Sequence, residues 1–149
     1  MPELRIMMGL PASGKSTYCS DLMDHGYVIV NPDKIRLALH GQAFQKLAEG
    51  FVWATAELMV RTLLMQGHSV VVDATNMHKQ ARSRWRSIAG EFGLKLYIDW
   101  HKASVETCKA RDAARASGRV GPEVIDRMAI SLQEPTDKEG IVTLFLEVK

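Results

Sequence analysis

The segment Gly9-Leu10-Pro11-Ala12-Ser13-Gly14-Lys15-Ser16-Thr17 carries the most specific chemistry in the chain. It fits G-x-x-x-x-G-K-[ST] and lies between a strand-like run, Leu4 to Met8, and a helical pattern that opens near Ser16. Glycines let the backbone turn tightly and aim N–H groups at an anion. The helix start points its positive end at the same place. Lys15 would neutralise the outer phosphates, the Ser16 hydroxyl would ligate an Mg²⁺ ion carried in with the nucleotide, and Thr17 would hold the inner phosphate. Gly9, Pro11, Ala12, Ser13, Gly14, Lys15, Ser16 and Thr17 are therefore candidates for binding a nucleoside triphosphate such as ATP.

Two further segments follow apolar runs. Asn31-Pro32-Asp33-Lys34-Ile35-Arg36 places Asp33 and Arg36 three apart, on one helix face. Asp33 can take a proton from an attacking hydroxyl while Arg36 grips an acceptor phosphate; equally, the pair can be a helix cap and a solvated arginine. Asp73-Ala74-Thr75-Asn76 ends the run Val70 to Val72. An acid there can help hold the metal, or Asp73 and Asn76 can simply end the strand and cap the next helix. Lys79, Arg82 and Arg86 then form a basic stripe, which can follow a phosphate backbone or face solvent. Trp85 is expected in the core, with base stacking the alternative.

These residues need a frame. Strands are expected at 4–8, 27–30, 69–72, 94–98 and 141–148, because short β-branched apolar runs suit a sheet covered on both faces. Helices are expected at 16–25, 43–66, 78–92, 104–116 and from 122, with Asn76 and Ser104 as caps. The long helix has Phe44, Leu47, Phe51, Thr55, Leu58 and Leu63 as its apolar stripe. Strand–helix alternation predicts an α/β three-layer sandwich: a mostly parallel sheet of four to five strands with helices on both faces and ligands at the carboxyl ends of the strands. With 149 residues, 46% hydrophobic, and a net charge of +2, the chain is expected to form one domain, 1–149, and bulk charge gives no case for nucleic-acid binding. Two distant cysteines, Cys19 and Cys108, predict neither a disulfide framework nor a metal site. No apolar run approaches the roughly 20 residues of a membrane helix, and a cytoplasmic location is expected.

The glycine-rich loop, Asn31-x-Asp33-x-x-Arg36 and Asp73-Ala74-Thr75-Asn76 together resemble the kinase domain of phage-type polynucleotide 5′-hydroxyl kinases and small predicted kinases related to them, P-loop NTPases by fold. Cys108 to Arg115, followed by Pro122 to Met128, is similar to that family's arginine-bearing lid, placing a lid at about 109–122. The resemblance covers residues 4–132. It implies that Asp33 is the general base, that Arg36 contacts the acceptor phosphate, and that Arg115 and then Arg111 contact the donor phosphates. It puts Asp73 in the active site, beside Ser16 as a metal ligand, and makes Lys15, Asp33, Arg36 and Arg115 the catalytic set, with ATP and Mg²⁺ as cofactors. Gly118 and Gly121 flank Arg119-Val120, so the lid can move. Zeta-toxin-like and other small-molecule kinases share the architecture more distantly. The expected reaction is transfer of the γ-phosphate to a polynucleotide 5′-hydroxyl. The alternatives are a small-molecule kinase and a nucleotide-gated binding module. The phosphatase domain that bifunctional members of that family carry is not expected from these residues, and neither is end-healing at a 3′-phosphate.

Overall fold

Alternation along the first strand decides the layering. In the computed structural model, which describes residues 1–42 and 44–147, β1 (Leu4–Met8) puts Leu4, Ile6 and Met8 into one apolar cluster and Met7 into another. Strand β3 (Val70–Val72) does the same, with Val70 and Val72 on one side and Val71 on the other. A strand apolar on both faces must be covered on both. Helix α1 (Lys15–Asp24) covers the Met7 and Val71 face through Cys19. Helices α3 (Glu49–Met65) and α4 (Lys79–Glu91) cover the other with Val52, Ala56, Val60, Leu64, Trp85 and Ile88. Helices α5 (Val105–Ala113) and α6 (Pro122–Ser131) form a third cluster, in which Cys108 and Ile125 pack on Leu10 and Met77. Strand β2 (Val28–Val30) leads into α2 (Pro32–His40), and β4 (Leu96–Lys102) and β5 (Ile141–Leu146) complete the sheet. Its order is β2-β3-β1-β4-β5 and every pair is parallel. The fold is the expected three-layer α/β sandwich of a P-loop protein.

The differences have physical reasons. Strand β4 runs four residues past the expected end at Ile98, although Asp99 and His101 are polar. Asp99 is buried, and Arg5 on β1 donates to its two oxygens at 3.2 and 3.3 Å. His101 stacks on Phe145 of β5, ring centroids 4.7 Å apart. Helix α5 stops at Ala113, short of the expected Ala116. The long helix begins at Glu49, after a 3-10 turn at Lys46–Ala48. Its expected start at Ala43, and the expected end of the last strand at Val148, lie outside the described residues. The stripe expected to face the core is out of phase: Phe51 and Leu58 are each 65% exposed, and Val52, Ala56, Val60 and Leu64 are buried instead.

Among the described residues no helix is long and apolar enough to cross a membrane. Both cysteines are buried free thiols.

Gly140, just before β5, sits hard against β4: a Cβ added there would lie 2.3 Å from the Leu96 carbonyl oxygen and 3.1 Å from its carbon. Backbone within a sheet cannot step aside. Gly140→Ala is therefore expected to lower the unfolding free energy by about 1–3 kcal/mol, read as a lower denaturant midpoint with an unchanged slope.

Candidate active site at the carboxyl edge of the sheet

The glycine-rich loop is tied to the segment that follows β3 and closed on itself by a turn. Gly9 N–H donates to the Thr75 carbonyl at 3.0 Å, and Ser13 N–H to Leu10 at 3.2 Å. A side chain at Gly9 would strike Ser13 Oγ at 2.6 Å and the His101 carbonyl at 2.7 Å, so no other residue fits this close approach. Gly14 caps α1 at φ 105, a left-handed conformation that glycine adopts freely. Ser16 and Thr17 lie exposed on the first turn of α1. The arrangement offers backbone donors, a positive helix end and two hydroxyls to one anion.

Lys15 is 8% exposed, and its ammonium folds back onto the loop. Nζ donates to the Gly9 carbonyl at 2.9 Å, to Leu10 at 2.6 Å and to Ser13 Oγ at 3.4 Å. Burial pushes its pKa down from 10.5 to about 8, and the Asp73 carboxylate opposes the shift. Burial likewise raises Asp73, which Lys15 partly counters. Asp73 has the Ser16 hydroxyl within hydrogen-bond reach and accepts from Asn31 Nδ2 at 3.4 Å. A desolvated carboxylate beside a hydroxyl and a phosphate-binding loop fits an Mg²⁺ ion whose other ligands are phosphate oxygens and water. Cys19 lies behind this pair; burial pushes its thiol up to about 12, so it is not nucleophilic. His101 packs beneath the loop and is lowered to about 4 by burial and then by Lys15, which keeps the imidazole neutral.

Asp33 stands in the first turn of α2, behind the cap in which Asn31 Oδ1 accepts from the Asp33 and Lys34 N–H groups. Its side chain is 74% exposed and meets Arg36 Nη1 at 2.5 Å. Arg36 is not the free clamp its spacing suggests. Glu49 takes its Nε and Nη2 in a two-pronged bond at 2.8 and 2.7 Å. The guanidinium also lies 5.6 Å from the Trp53 ring centroid. A helix expected from residue 43 places Glu49 in its interior; with the true start of α3 at Glu49, an acid in the first helical turn is the signal that marks it.

Arg111 reaches across to the loop, Nη1 lying 3.5 Å from the Ala12 carbonyl. Arg115 lies 3.8 Å from Asp112, and its charge acts on Lys15. Asp112, between the two arginines, was also missed. It is 2% exposed and accepts from the Val120 and Gly121 N–H groups, each at 3.0 Å. Those bonds hold its pKa down and tie segment 114–121 to the end of α5. Asp112→Ala should release that segment and misplace both arginines. Because small misplacements near a reacting centre can cost about 10²-fold, we expect a kcat loss of about 10- to 100-fold, with Asp112→Asn intermediate; steady-state kinetics would check it.

The expected basic stripe does not form. Arg82 is wholly buried, donating to Glu139 at 2.8 Å and to the Asn76 carbonyl at 2.9 Å, so only Lys79 and Arg86 remain outside. Trp85 is buried as well and donates to Asn76 Oδ1 at 3.2 Å, which removes it as a stacking platform. Asn76 is no cap: the N-cap of α4 is His78, and Asn76, at φ 46, donates instead to the Met7 carbonyl at 2.7 Å.

A family model described as "AAA domain" matches residues 4–135. The chain is 27% identical over 147 residues to the bifunctional polynucleotide phosphatase/kinase of Schizosaccharomyces pombe, covering 95% of this chain and 32% of that one. A chain of the Pnkp1/Rnl/Hen1 RNA repair complex superposes with a TM-score of 0.78 at 23% identity, over 88% of this chain and 44% of the other. A sugar kinase from Janibacter sp. superposes with a TM-score of 0.75 at 14% identity, over 98% and 86%. The chain spans 20% and 32% of the length of the curated relatives it matches.

Proposed function

The chain belongs to the AAA domain family, and from that premise we propose that it is an ATP-dependent kinase that phosphorylates the 5′-hydroxyl of a polynucleotide. The observation that supports this reading is an exposed carboxylate, Asp33, on the strand edge that also carries the phosphate loop, its charge near enough to act on Asp73. The polynucleotide kinase relative supports the choice of acceptor.

The acceptor hydroxyl oxygen forms a bond to the γ-phosphorus as the bond from that phosphorus to the β,γ-bridging oxygen breaks. The hydroxyl proton passes to Asp33, and ADP leaves. The main-chain N–H groups of Gly14, Lys15 and Ser16 at the start of α1 and the Lys15 ammonium neutralise the β- and γ-phosphates, as P-loops and their lysines do. Lys15 must turn from its own carbonyls to reach them. Arg111 and Arg115 close over the donor phosphates with segment 109–122 as the lid, excluding water. Ser16 and Asp73 would hold Mg²⁺, which adds positive charge to the phosphates when bound. Arg36, steered by Glu49, positions Asp33 and presents its remaining surface to the acceptor phosphate. The setting proposed is cytoplasmic.

The sugar kinase likeness shows the fold alone, yet it covers nearly the whole of both chains and makes a small alcohol the second acceptor to test. The experiment is transfer from γ-labelled ATP to 5′-hydroxyl DNA and RNA oligonucleotides beside a panel of sugars and nucleosides. Label on the oligonucleotide is expected. Label only on a small alcohol, or only free phosphate, overturns the acceptor assignment.

A further inference from the structure

Helix α3 has two apolar faces, and the sheet covers only one. The outer face carries Phe51, Ala54, Leu58, Thr62 and Met65, all exposed, and Leu47 extends the line into the preceding 3-10 turn. Phe51 and Leu58 are 65% exposed, Met65 75% and Leu47 fully so. The helix has three charged residues, and each already has a partner in the same chain: Glu49 with Arg36, Glu57 with Arg84, and Arg61 with Glu91. The face therefore brings no unpaired charge to whatever lies on it. Residues 47, 51, 54, 58, 61 and 65 follow steps of four and three, the a/d spacing of a helix that packs along another helix.

We propose that a second copy of this chain docks here, with the two α3 helices antiparallel about a two-fold axis passing between Ala54 and Leu58. Three observations select a copy over a foreign partner. An isologous contact places residue i against j and j against i, so the face must complement itself. Antiparallel pairing about that axis sets small Ala54 against large Leu58 twice, and Leu47 against Met65. It also sets Phe51 against Arg61, whose guanidinium can lie on the ring while Glu91 keeps its bonds at 2.9 and 3.0 Å. A neutral face meets its copy without repulsion, whereas a partner chosen by charge would need an unpaired charge to read. The extent fits the same reading: α3 is about 25 Å long, and its exposed Leu47, Phe51, Leu58 and Met65 go toward the about 800 Å² per partner that a stable dimer buries. The proposal is independent of the acceptor assignment.

The test is sedimentation equilibrium of the full chain from about 1 to about 100 µM. A dimer is expected, and Leu58→Glu is expected to raise its dissociation constant at least about tenfold without changing turnover per protomer. If that variant folds poorly, Leu58→Ser should show the same trend, with the thermal midpoint confirming an intact fold. The register has its own readout: a mixture of Ala54→Cys and Leu58→Cys chains should cross-link under oxidation more than either variant alone. A monomer throughout, a dimer indifferent to Leu58 substitution, or no preference for the mixed cross-link overturns the proposal.

Discussion

Lys15→Met is expected to abolish phosphoryl transfer, by about 10³-fold or more, while leaving the free protein at least as stable as before. The two halves have one cause. The ammonium is buried against its own loop, where burial pushes it from 10.5 to about 8. Near neutral pH the fold therefore holds a charge that is easier to hold in water. The gap between the two values bounds the penalty at about 3 kcal/mol. Bonds to the Gly9 and Leu10 carbonyls offset part of it, and a triphosphate would supply the missing counter-charge. The sign with pH is fixed. Between about pH 8 and 10.5 the unfolded chain binds the proton and the folded chain does not, so stability rises with pH across that window. In Lys15→Met this contribution disappears. Denaturant titrations at pH 7 and 9.5, beside a γ-phosphate transfer assay, read both halves. A variant that loses stability along with activity would mean that Lys15 holds the loop together, rather than waiting in it for phosphate.

What could be read from the sequence follows from how local each feature is. The phosphate loop depends on consecutive residues, glycine backbone freedom and one helix start, so its sequence specifies its geometry. The parallel sheet was equally legible, since each strand is a short apolar run on which the layering depends. The rest depends on partners far apart in the chain. Arg82 lies three residues after Lys79 on a helix surface, yet its ion pair with Glu139, 57 residues away, takes it inside. Asp99 interrupts an apolar run until Arg5, 94 residues away, reaches it. Helix α3 is the most instructive case. It is apolar on two faces, so its periodicity could not decide which one faces the sheet. An early start and the outer phase leave Glu49 out of the first turn, and with it the bond that holds Arg36.

Asp33→Asn is expected to lower kcat by about 10² to 10⁴ while nucleotide affinity stays near that of the unaltered chain. The substitution keeps shape and removes only the capacity to take a proton. The α2 cap is untouched, because it is made by Asn31 Oδ1 to backbone N–H groups. The Asp33–Arg36 contact weakens, but Asp33 is 74% exposed and such pairs contribute only about 0–1 kcal/mol. Arg36 itself stays fixed by Glu49. Fold, loop and donor site should therefore survive, and any loss reports on the acceptor hydroxyl. Single-turnover transfer and nucleotide titration separate the two quantities. Glu49→Gln is the informative companion, since it loosens Arg36 without removing the base. If Asp33 acts on the proton and Arg36 only steers, the first variant loses rate at every pH and the second keeps most of its rate. If instead the two variants fall together, Asp33, Arg36 and Glu49 act as one structural brace, and the proton acceptor must be sought elsewhere on the strand edge, with Asp73, whose carboxyl feels the Asp33 charge, the next to test.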